Sequence, residues 1–211
     1  GGAGRWRWAL ELLGRAGAEG VEADVITYNT AISACSKGRV WQPTLALLDA
    51  MRRRQVTPDT ITYNSVITAC EKGSRWEASL ALGDRLLHAT PRADAVTCGA
   101  LISACEKGQQ WARAVQLLQD MRQDALARSV VTYGAAISAC EKGQQWQRAI
   151  SLLDEMRESR IEANIVTCSA VISACEKCLQ WEQALLRFAG LRRLRVEPDL
   201  MACNAALSAC E

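Results

Sequence analysis

A single period of 35 residues runs through the whole sequence. Three side chains mark it at fixed positions: a threonine, a cysteine and a tryptophan. The threonines are Thr27, Thr62, Thr97, Thr132 and Thr167; the cysteines are Cys35, Cys70, Cys105, Cys140, Cys175 and Cys210; the tryptophans are Trp6, Trp41, Trp76, Trp111, Trp146 and Trp181. A period in the range of roughly 20–50 residues is typical of arrays in which each repeat packs only against its neighbours, and such arrays usually work along one extended face.

One repeat, residues 130–164, illustrates the pattern within the period. Apolar side chains at i, i+4 and i+7 predict a short first helix over residues 132–142. These side chains are Tyr133, Ile137 and Cys140. Thr132 is the expected N-cap, because its hydroxyl can accept a hydrogen bond from an amide one turn on. Gly143 is the expected residue in the left-handed conformation that ends this helix.

A second helix is predicted to begin near Gln145. Its apolar stripe is wider and consists of Trp146, Ala149, Ile150, Leu153 and Met156. Neither helix is long enough to be stable alone in water, so each must bury its stripe against the adjoining pair. The sequence therefore predicts an all-α fold, a right-handed α-solenoid of helix-turn-helix repeats.

The period divides the chain into five complete repeats and two partial ones. The complete repeats are expected at 25–59, 60–94, 95–129, 130–164 and 165–199. A partial repeat at 1–24 should hold a second helix only, and one at 200–211 a first helix only. Because the sequence starts and stops within repeats, we expect it to be a piece of a longer array.

The ten cysteines would suit a disulfide framework or metal sites, but the period favours another interpretation. Six of them share one repeat position and sit among small residues, as in Ser33-Ala34-Cys35, which indicates buried apolar side chains. Cys175 and Cys178 have a zinc-like spacing without a second Cys or His pair, so we expect no metal. The tryptophans open the second helix on its apolar stripe and are expected to pack between repeats.

Composition and motifs exclude several classes of protein. The formal net charge is +2, so any positive surface must come from the distribution of charge along the chain. No apolar run approaches the ~18 residues of a membrane span, and no secretory signal opens the sequence. The sequence has no Ser-His-Asp set, no glycine-rich phosphate loop and no zinc-deaminase signature, so we expect neither an enzyme nor a cofactor.

Short motifs recur in register with the period. Val25–Asn29 reads VITYN, Thr60–Asn64 reads TITYN and Val130–Gly134 reads VVTYG. Leu153–Arg157 reads LDEMR, and Val196–Asp199 reads VEPD. Over essentially the whole chain these motifs resemble the pentatricopeptide repeat family, and the uniform repeat length resembles its P-type class. The resemblance implies binding of single-stranded RNA at roughly one base per repeat.

In that family the fifth and last residues of a repeat read the base. The resemblance assigns the pairs Asn29 with Asp59, Asn64 with Asp94, Gly99 with Ser129, Gly134 with Asn164, and Ser169 with Asp199, and adds Asn204 in the last partial repeat. The second residue is an aliphatic that packs against the base, here Ile26, Ile61, Val96, Val131, Val166 and Met201. The family's rules imply a preference of about U-U-n-n-G. The two unspecified positions correspond to the repeats with Gly99 and Gly134, which have no side chain with which to read a base.

A lysine lies near the end of the first helix of each complete repeat. These five residues, the ladder lysines, are Lys37, Lys72, Lys107, Lys142 and Lys177. The resemblance implies that they contact RNA phosphates; the alternative is a cation that interacts with the helix dipole. In the same way, Asp59, Asp94 and Asp199 have the alternative role of helix or turn caps, and one residue can have both roles.

We therefore expect an RNA-binding protein that acts by occupancy in organellar RNA metabolism, in stabilisation, processing or translation. By resemblance, its expected location is the chloroplast or the mitochondrion. Single-stranded RNA is the expected partner, with no membrane and no small-molecule substrate. The alternative function is a protein–protein interaction scaffold that uses the concave solenoid face, and a lesser alternative is an enzymatic domain in a segment outside this sequence.

Overall fold

The structure, a computed structural model, describes residues 5–19, 22–89, 94–192 and 196–210. Every regular element in these residues is an α-helix, which confirms the predicted all-α helical-repeat fold. In chain order the helices are α1 (Arg5–Ala18), α2 (Val25–Lys37), α3 (Gln42–Arg53), α4 (Thr60–Lys72), α5 (Trp76–Ala89), α6 (Ala95–Lys107), α7 (Trp111–Gln123), α8 (Val130–Lys142), α9 (Trp146–Glu158), α10 (Ile165–Lys177), α11 (Trp181–Gly190) and α12 (Leu200–Ser208). None of these helices, over the described residues, is long and apolar enough to cross a membrane.

The helices form two compact halves, Gly1–Ala104 and Cys105–Glu211. In the N-terminal half, α2 packs against α1, α3 and α4. In the C-terminal half, α8 packs against α7, α9 and α10. Within each half the first helix of a repeat therefore contacts its own second helix and the first helix of the next repeat, which is how helical pairs stack in a repeat array.

The repeated cysteines belong to the core, as the sequence predicted. The fully buried members are Cys35, Cys70, Cys105, Cys140 and Cys175. Cys210, the sixth member of the series, is exposed, and all ten cysteines are free thiols. Burial raises the pKa of Cys70, Cys140 and Cys175 to about 11, so these thiols stay protonated and unreactive at neutral pH.

The N-caps of the first helices differ from the prediction. Thr132 is the third residue of α8, and the cap is Ser129, whose side chain accepts from the Thr132 backbone N–H. The Thr132 hydroxyl in turn accepts from the Ser129 backbone N–H at 2.9 Å, which completes a capping box. The prediction was wrong because a threonine hydroxyl can act both at the N-cap and at the third helical position of a capping box. The caps of the described first helices are the last residues of the preceding repeats, namely Asp24, Asp59, Asp94, Ser129, Asn164 and Asp199.

Gly143 is also not in the left-handed conformation that the sequence predicted. Its φ is −85°, and the residue with positive φ is Gln144, at 55°. The glycine is needed for another reason: a Cβ at Gly143 would lie 2.4 Å from Cδ1 of Trp111. The same approach occurs between Gly73 and Trp41, again at 2.4 Å. A tryptophan from one repeat therefore packs directly on the glycine of the next.

Trp41 and Trp111 thus pack between repeats, as expected, but none of the repeated tryptophans is part of the fully buried core. Trp41, Trp111 and Trp146 are half-buried, and Trp181 is 52% exposed. Trp41 and Trp111 each lie against the glycine at the C-terminal end of a first helix. Loss of such a side chain removes an inter-repeat contact without leaving a closed cavity.

Replacing Gly143 with alanine should lower the free energy of unfolding by about 1–3 kcal/mol, the usual cost of overpacking, because the new Cβ collides with Trp111. Gly14→Ala on α1, where an added Cβ meets nothing within 4 Å, is the control and should raise it by about 0.5–1 kcal/mol. Urea unfolding of both variants measures these changes. The double variant Gly143→Ala with Trp111→Ala should lose less than the sum of the single losses, and strict additivity would contradict the contact.

A second prediction concerns the cap of α2. Hydrogen bonds from the hydroxyl and the backbone N–H of Thr27 hold the pKa of the Asp24 carboxyl below its ordinary value of 3.8. Because the folded-state pKa is lower than the unfolded-state one, the stabilisation is complete above the ordinary value of 3.8. It is lost progressively as the pH falls from there through the folded-state pKa. A carbon-detected NMR titration should therefore give Asp24 a midpoint below 3.8. Asp24→Asn, which still caps but does not titrate, should lose less thermal stability between pH 6 and pH 3 than the unchanged chain. A midpoint at or above the ordinary value would refute the assignment.

Candidate nucleic-acid interface

One groove in the N-terminal half gathers the site residues predicted for the first complete repeat. Its volume is about 890 Å³, and its walls come from α1, α2 and the start of α4. The predicted residues that line it are Ile26, Asn29, Lys37, Asp59 and Ile61. The proposed reading pair, the flanking aliphatics and one ladder lysine therefore face the same space.

The fifth and last residues of this repeat are hydrogen-bonded to each other. Asn29 Nδ2 donates to both carboxylate oxygens of Asp59, at 3.1 and 3.3 Å. The Thr62 hydroxyl donates to Asn29 Oδ1 at 2.6 Å. Because a carboxylate only accepts, these contacts fix which end of the amide faces Asp59. One N–H and one lone pair of the Asn29 amide remain available to a ligand in the groove.

The next repeat has the same arrangement. Asn64 Nδ2 donates to the Asp94 carboxylate at 3.1 and 2.9 Å, and the Thr97 hydroxyl donates to Asn64 Oδ1. Asp94 also caps α6 by accepting from the Thr97 backbone N–H at 2.7 Å. The two roles that the sequence left open for these aspartates, helix cap and partner of the fifth residue, are therefore filled together.

Both aspartates are held in the charged form. Partial burial by itself raises the pKa of Asp59 and of Asp94. Hydrogen bonds from Thr62 and Asn29 in one case, and from Thr97 and Asn64 in the other, outweigh this and leave each pKa below its usual value. The carboxylates are thus acceptors for their asparagines throughout the neutral range.

The C-terminal half is more varied. Ser169 Oγ donates to Asp199 Oδ1 at 3.1 Å, so this predicted pair is also in contact. Gly134 has no side chain to offer Asn164, whose Oδ1 caps α10 through the Thr167 backbone N–H at 3.0 Å. With no asparagine at the fifth position, the Thr167 hydroxyl donates to the Asn164 backbone carbonyl. Asn204 is exposed on α12. Gly99 lies within α6, and Ser129 caps α8.

The second residue of each first helix is an exposed aliphatic. The six positions are between 63% and 73% exposed, and they are Ile26, Ile61, Val96, Val131, Val166 and Met201. Scattered exposed apolar side chains are ordinary, but one at the same position of every repeat is not. These side chains contribute little to the core, so a role outside folding accounts better for their type.

Four of the five ladder lysines fall into two groups. Lys142 Nζ donates to Glu106 Oε1 at 2.9 Å, and Lys177 Nζ donates to Glu141 Oε1 at 2.7 Å, each bridging two first helices. Among the described residues, neither Lys37 nor Lys72 forms an ion pair. The sequence offered phosphate contact or a dipole interaction for all five, and the bridges between repeats are a third role that it did not indicate.

The sequence did not point to several polar side chains that lie in or next to the groove. Arg5 and Arg39 line it beside Lys37, but neither belongs to the repeated pattern. The Thr62 hydroxyl, which fixes the Asn29 amide, was read only as a mark of the period. The available signal was that a threonine lies three residues after Asp24, Asp59 and Asp94, because that spacing places a hydroxyl beside the cap.

Family models match most of the chain. The model described as the PPR repeat family matches residues 4–72 and 128–177. A pentatricopeptide repeat domain model matches residues 91–143, and a PPR repeat model matches residues 61–88. No curated protein matches the chain in sequence.

Solved structures share the fold. The pentatricopeptide repeat protein PPR10 from maize, in complex with an 18-nucleotide psaJ RNA element, is 25% identical with a TM-score of 0.55, over 98% of this chain and 34% of that one. This chain thus spans about a third of the maize protein. The PPR domain of Arabidopsis thaliana protein-only RNase P 1, in complex with tRNA, is 14% identical with a TM-score of 0.75, over 86% of this chain and 95% of that one. At this lower identity the likeness concerns the fold alone.

The family match and the fold agree with each other. The first of the three family models alone covers more than half of the sequence, and the helical pairs of both halves are those of repeat arrays. The chain therefore belongs to the pentatricopeptide repeat family.

Proposed function

We propose that this chain binds single-stranded RNA along its first helices, with one base per repeat. The observation that carries the proposal is the hydrogen-bonded pair of Asn29 and Asp59, which lines a groove together with the exposed Ile26 and Ile61. The free donor and acceptor of the Asn29 amide suit the Watson–Crick edge of an unpaired base. The RNA complex of the maize relative supports the same class of ligand.

The base preference is the one that the family resemblance implies for these residue pairs. Asn29 with Asp59, and Asn64 with Asp94, should each favour uracil, whereas Ser169 with Asp199 should favour guanine. The repeats with Gly99 and Gly134 should space the strand with little discrimination. The exposed aliphatics exclude water from both faces of a base without reading it. Lys37 and Lys72, which form no ion pair among the described residues, approach the phosphates.

We further propose that the protein acts by occupying its RNA, without catalysis of its own, in a chloroplast or a mitochondrion, where pentatricopeptide repeat proteins generally work. Occupancy of a strand blocks nucleases or opens a hairpin without any bond being made or broken. The alternative function, a protein–protein interaction scaffold, requires no RNA binding, and the binding experiment described next distinguishes the two.

Replacing Asn29 and Asn64 with alanine should weaken binding to oligouridine by roughly tenfold, because each loss removes a base contact of about 0.5–1.5 kcal/mol. It should also reduce the preference for uridine over adenosine. Fluorescence anisotropy with labelled oligouridine and oligoadenosine measures both effects, and Gln147→Ala on the second helix α9 is the matched amide control. Absence of binding by the unchanged chain to any single strand at low salt would contradict the proposal and favour the protein scaffold.

Replacing Ile61 with serine should weaken RNA binding severalfold while thermal stability stays within about 0.5 kcal/mol, the usual range for surface changes. The side chain is 63% exposed, so the fold loses little when it is shortened. Leu12→Ser is the control, since Leu12 is 62% exposed on α1, a second helix. If both variants bind equally well, the aliphatic position has no part in binding.

A further inference from the structure

The first complete repeat has a charge pattern that the others lack. The residue before its ladder lysine is Ser36, where the following repeats carry Glu71, Glu106, Glu141 and Glu176. The residue after its glycine is Arg39, where the following repeats carry Ser74, Gln109, Gln144 and Leu179. One acid is thus missing and one base is added within four residues of each other.

The missing acid affects two lysines. In the C-terminal half, each bridge joins a lysine to the glutamate that lies 36 residues before it, as for Lys142 with Glu106. For Lys72 the residue at that spacing is Ser36, which is buried and uncharged. Lys37 is the one ladder lysine that no glutamate directly precedes in the sequence, and neither Lys37 nor Lys72 forms an ion pair among the described residues. Their positive charges therefore remain available, whereas those of Lys142 and Lys177 are compensated.

The added base faces the same space as the proposed reading pair. Arg5, Lys37 and Arg39 all line the groove of about 890 Å³. Asp59 is the one acidic residue among the described residues of that wall, and its carboxylate already accepts from Asn29 and Thr62. Three cations and one carboxylate, which is already hydrogen-bonded, leave a net positive charge in the groove next to the proposed reading pair. A guanidinium presents a planar fork of donors that matches two phosphate oxygens.

We propose that Arg5, Lys37 and Arg39 form a phosphate-binding site that anchors the RNA backbone at the first complete repeat, with Lys72 contacting the adjacent phosphate. Lys142 and Lys177 hold neighbouring first helices together and contribute little to the grip on RNA. The inference rests on the proposed function. It assigns most of the electrostatic attraction for RNA phosphates to the first complete repeat and the residues next to it.

Two substitutions copy other repeats into the first one. Arg39→Gln introduces the residue that Gln109 and Gln144 provide with the same positive φ, at 55° in each, so the backbone can accommodate it. Ser36→Glu introduces the bridging acid opposite Lys72. Anisotropy with labelled oligouridine, repeated over a range of salt concentrations, should show at least about fivefold weaker binding for each variant. It should also show a salt slope that is shallower by about 0.7 for each lost phosphate contact. Arg53→Gln on α3 loses the same charge away from the groove and should bind within about twofold of the unchanged chain.

The reverse change should strengthen binding. Glu141→Ser gives the C-terminal half the residue that the first repeat carries, and it releases Lys177 from its 2.7 Å bridge. Thermal stability should fall slightly, while affinity for oligouridine rises and the salt slope steepens. A purely structural role of these charges would lower stability without raising affinity, and that result would overturn the inference, as would equal losses from Arg39→Gln and Arg53→Gln.

A second probe separates this inference from the proposed function. Inorganic pyrophosphate, added to the unchanged chain, should shift the backbone amide signals of Gly38 and Arg39 in NMR spectra, and these shifts should disappear in Arg39→Gln. If the unchanged chain binds no RNA but shows these shifts, the proposed function fails and the phosphate site stands. If it binds RNA and the variants behave like Arg53→Gln, the function stands and the site is wrong. Absence of both RNA binding and the shifts overturns both.

Discussion

The hydrogen bond that caps each first helix is the interaction on which the rest of the structure depends. The last residue of a repeat accepts from a backbone N–H three residues on, as Asp59 does from Thr62 at 2.8 Å. That bond fixes where α4 begins, and therefore how one helical pair follows the previous one. The same carboxylate receives the amide of Asn29. Asp59 cannot turn away from its asparagine without uncapping α4, at a cost of about 1 kcal/mol. The proposed reading pair is thus held in place by a helix cap that the fold requires in any case.

Most of the fold could be predicted from the sequence, because a 35-residue period requires every repeat to adopt the same pair of helices. The spacing of apolar residues predicted helical pairs, and the structure has them in the expected order. The errors lie at residues whose type suits two positions. Thr132 has a capping hydroxyl but sits inside the helix, and Gly143 has the type of a left-handed cap but ordinary φ. Only the approach of Trp111 explains that glycine, and a contact between residues so distant in sequence is not visible in local patterns.

The candidate site was predictable in part, and mainly through resemblance. Family motifs pointed to Asn29 and Asp59, whereas composition alone gave no reason to connect residues 30 apart. The bridge from Lys142 to Glu106 could not be anticipated, because it depends on the offset between stacked first helices and not on either helix alone. The net charge of +2 was uninformative for the same reason: compensation between repeats decides which lysines remain available.

The threonine at the third position of the first helices explains how capping and the proposed base reading can coexist. Where the fifth residue is asparagine, the Thr62 hydroxyl lies within hydrogen-bond distance of both Asn29 Oδ1 and Asp59 Oδ1 and orients the amide. Where the fifth residue is Gly134, the equivalent hydroxyl of Thr167 turns to a backbone carbonyl instead. In both cases the helix keeps its cap. The hydroxyl therefore adapts to the fifth residue while the helix start is unchanged. An array built in this way can exchange its fifth residues, and with them the base preference that we propose, at little cost to the fold.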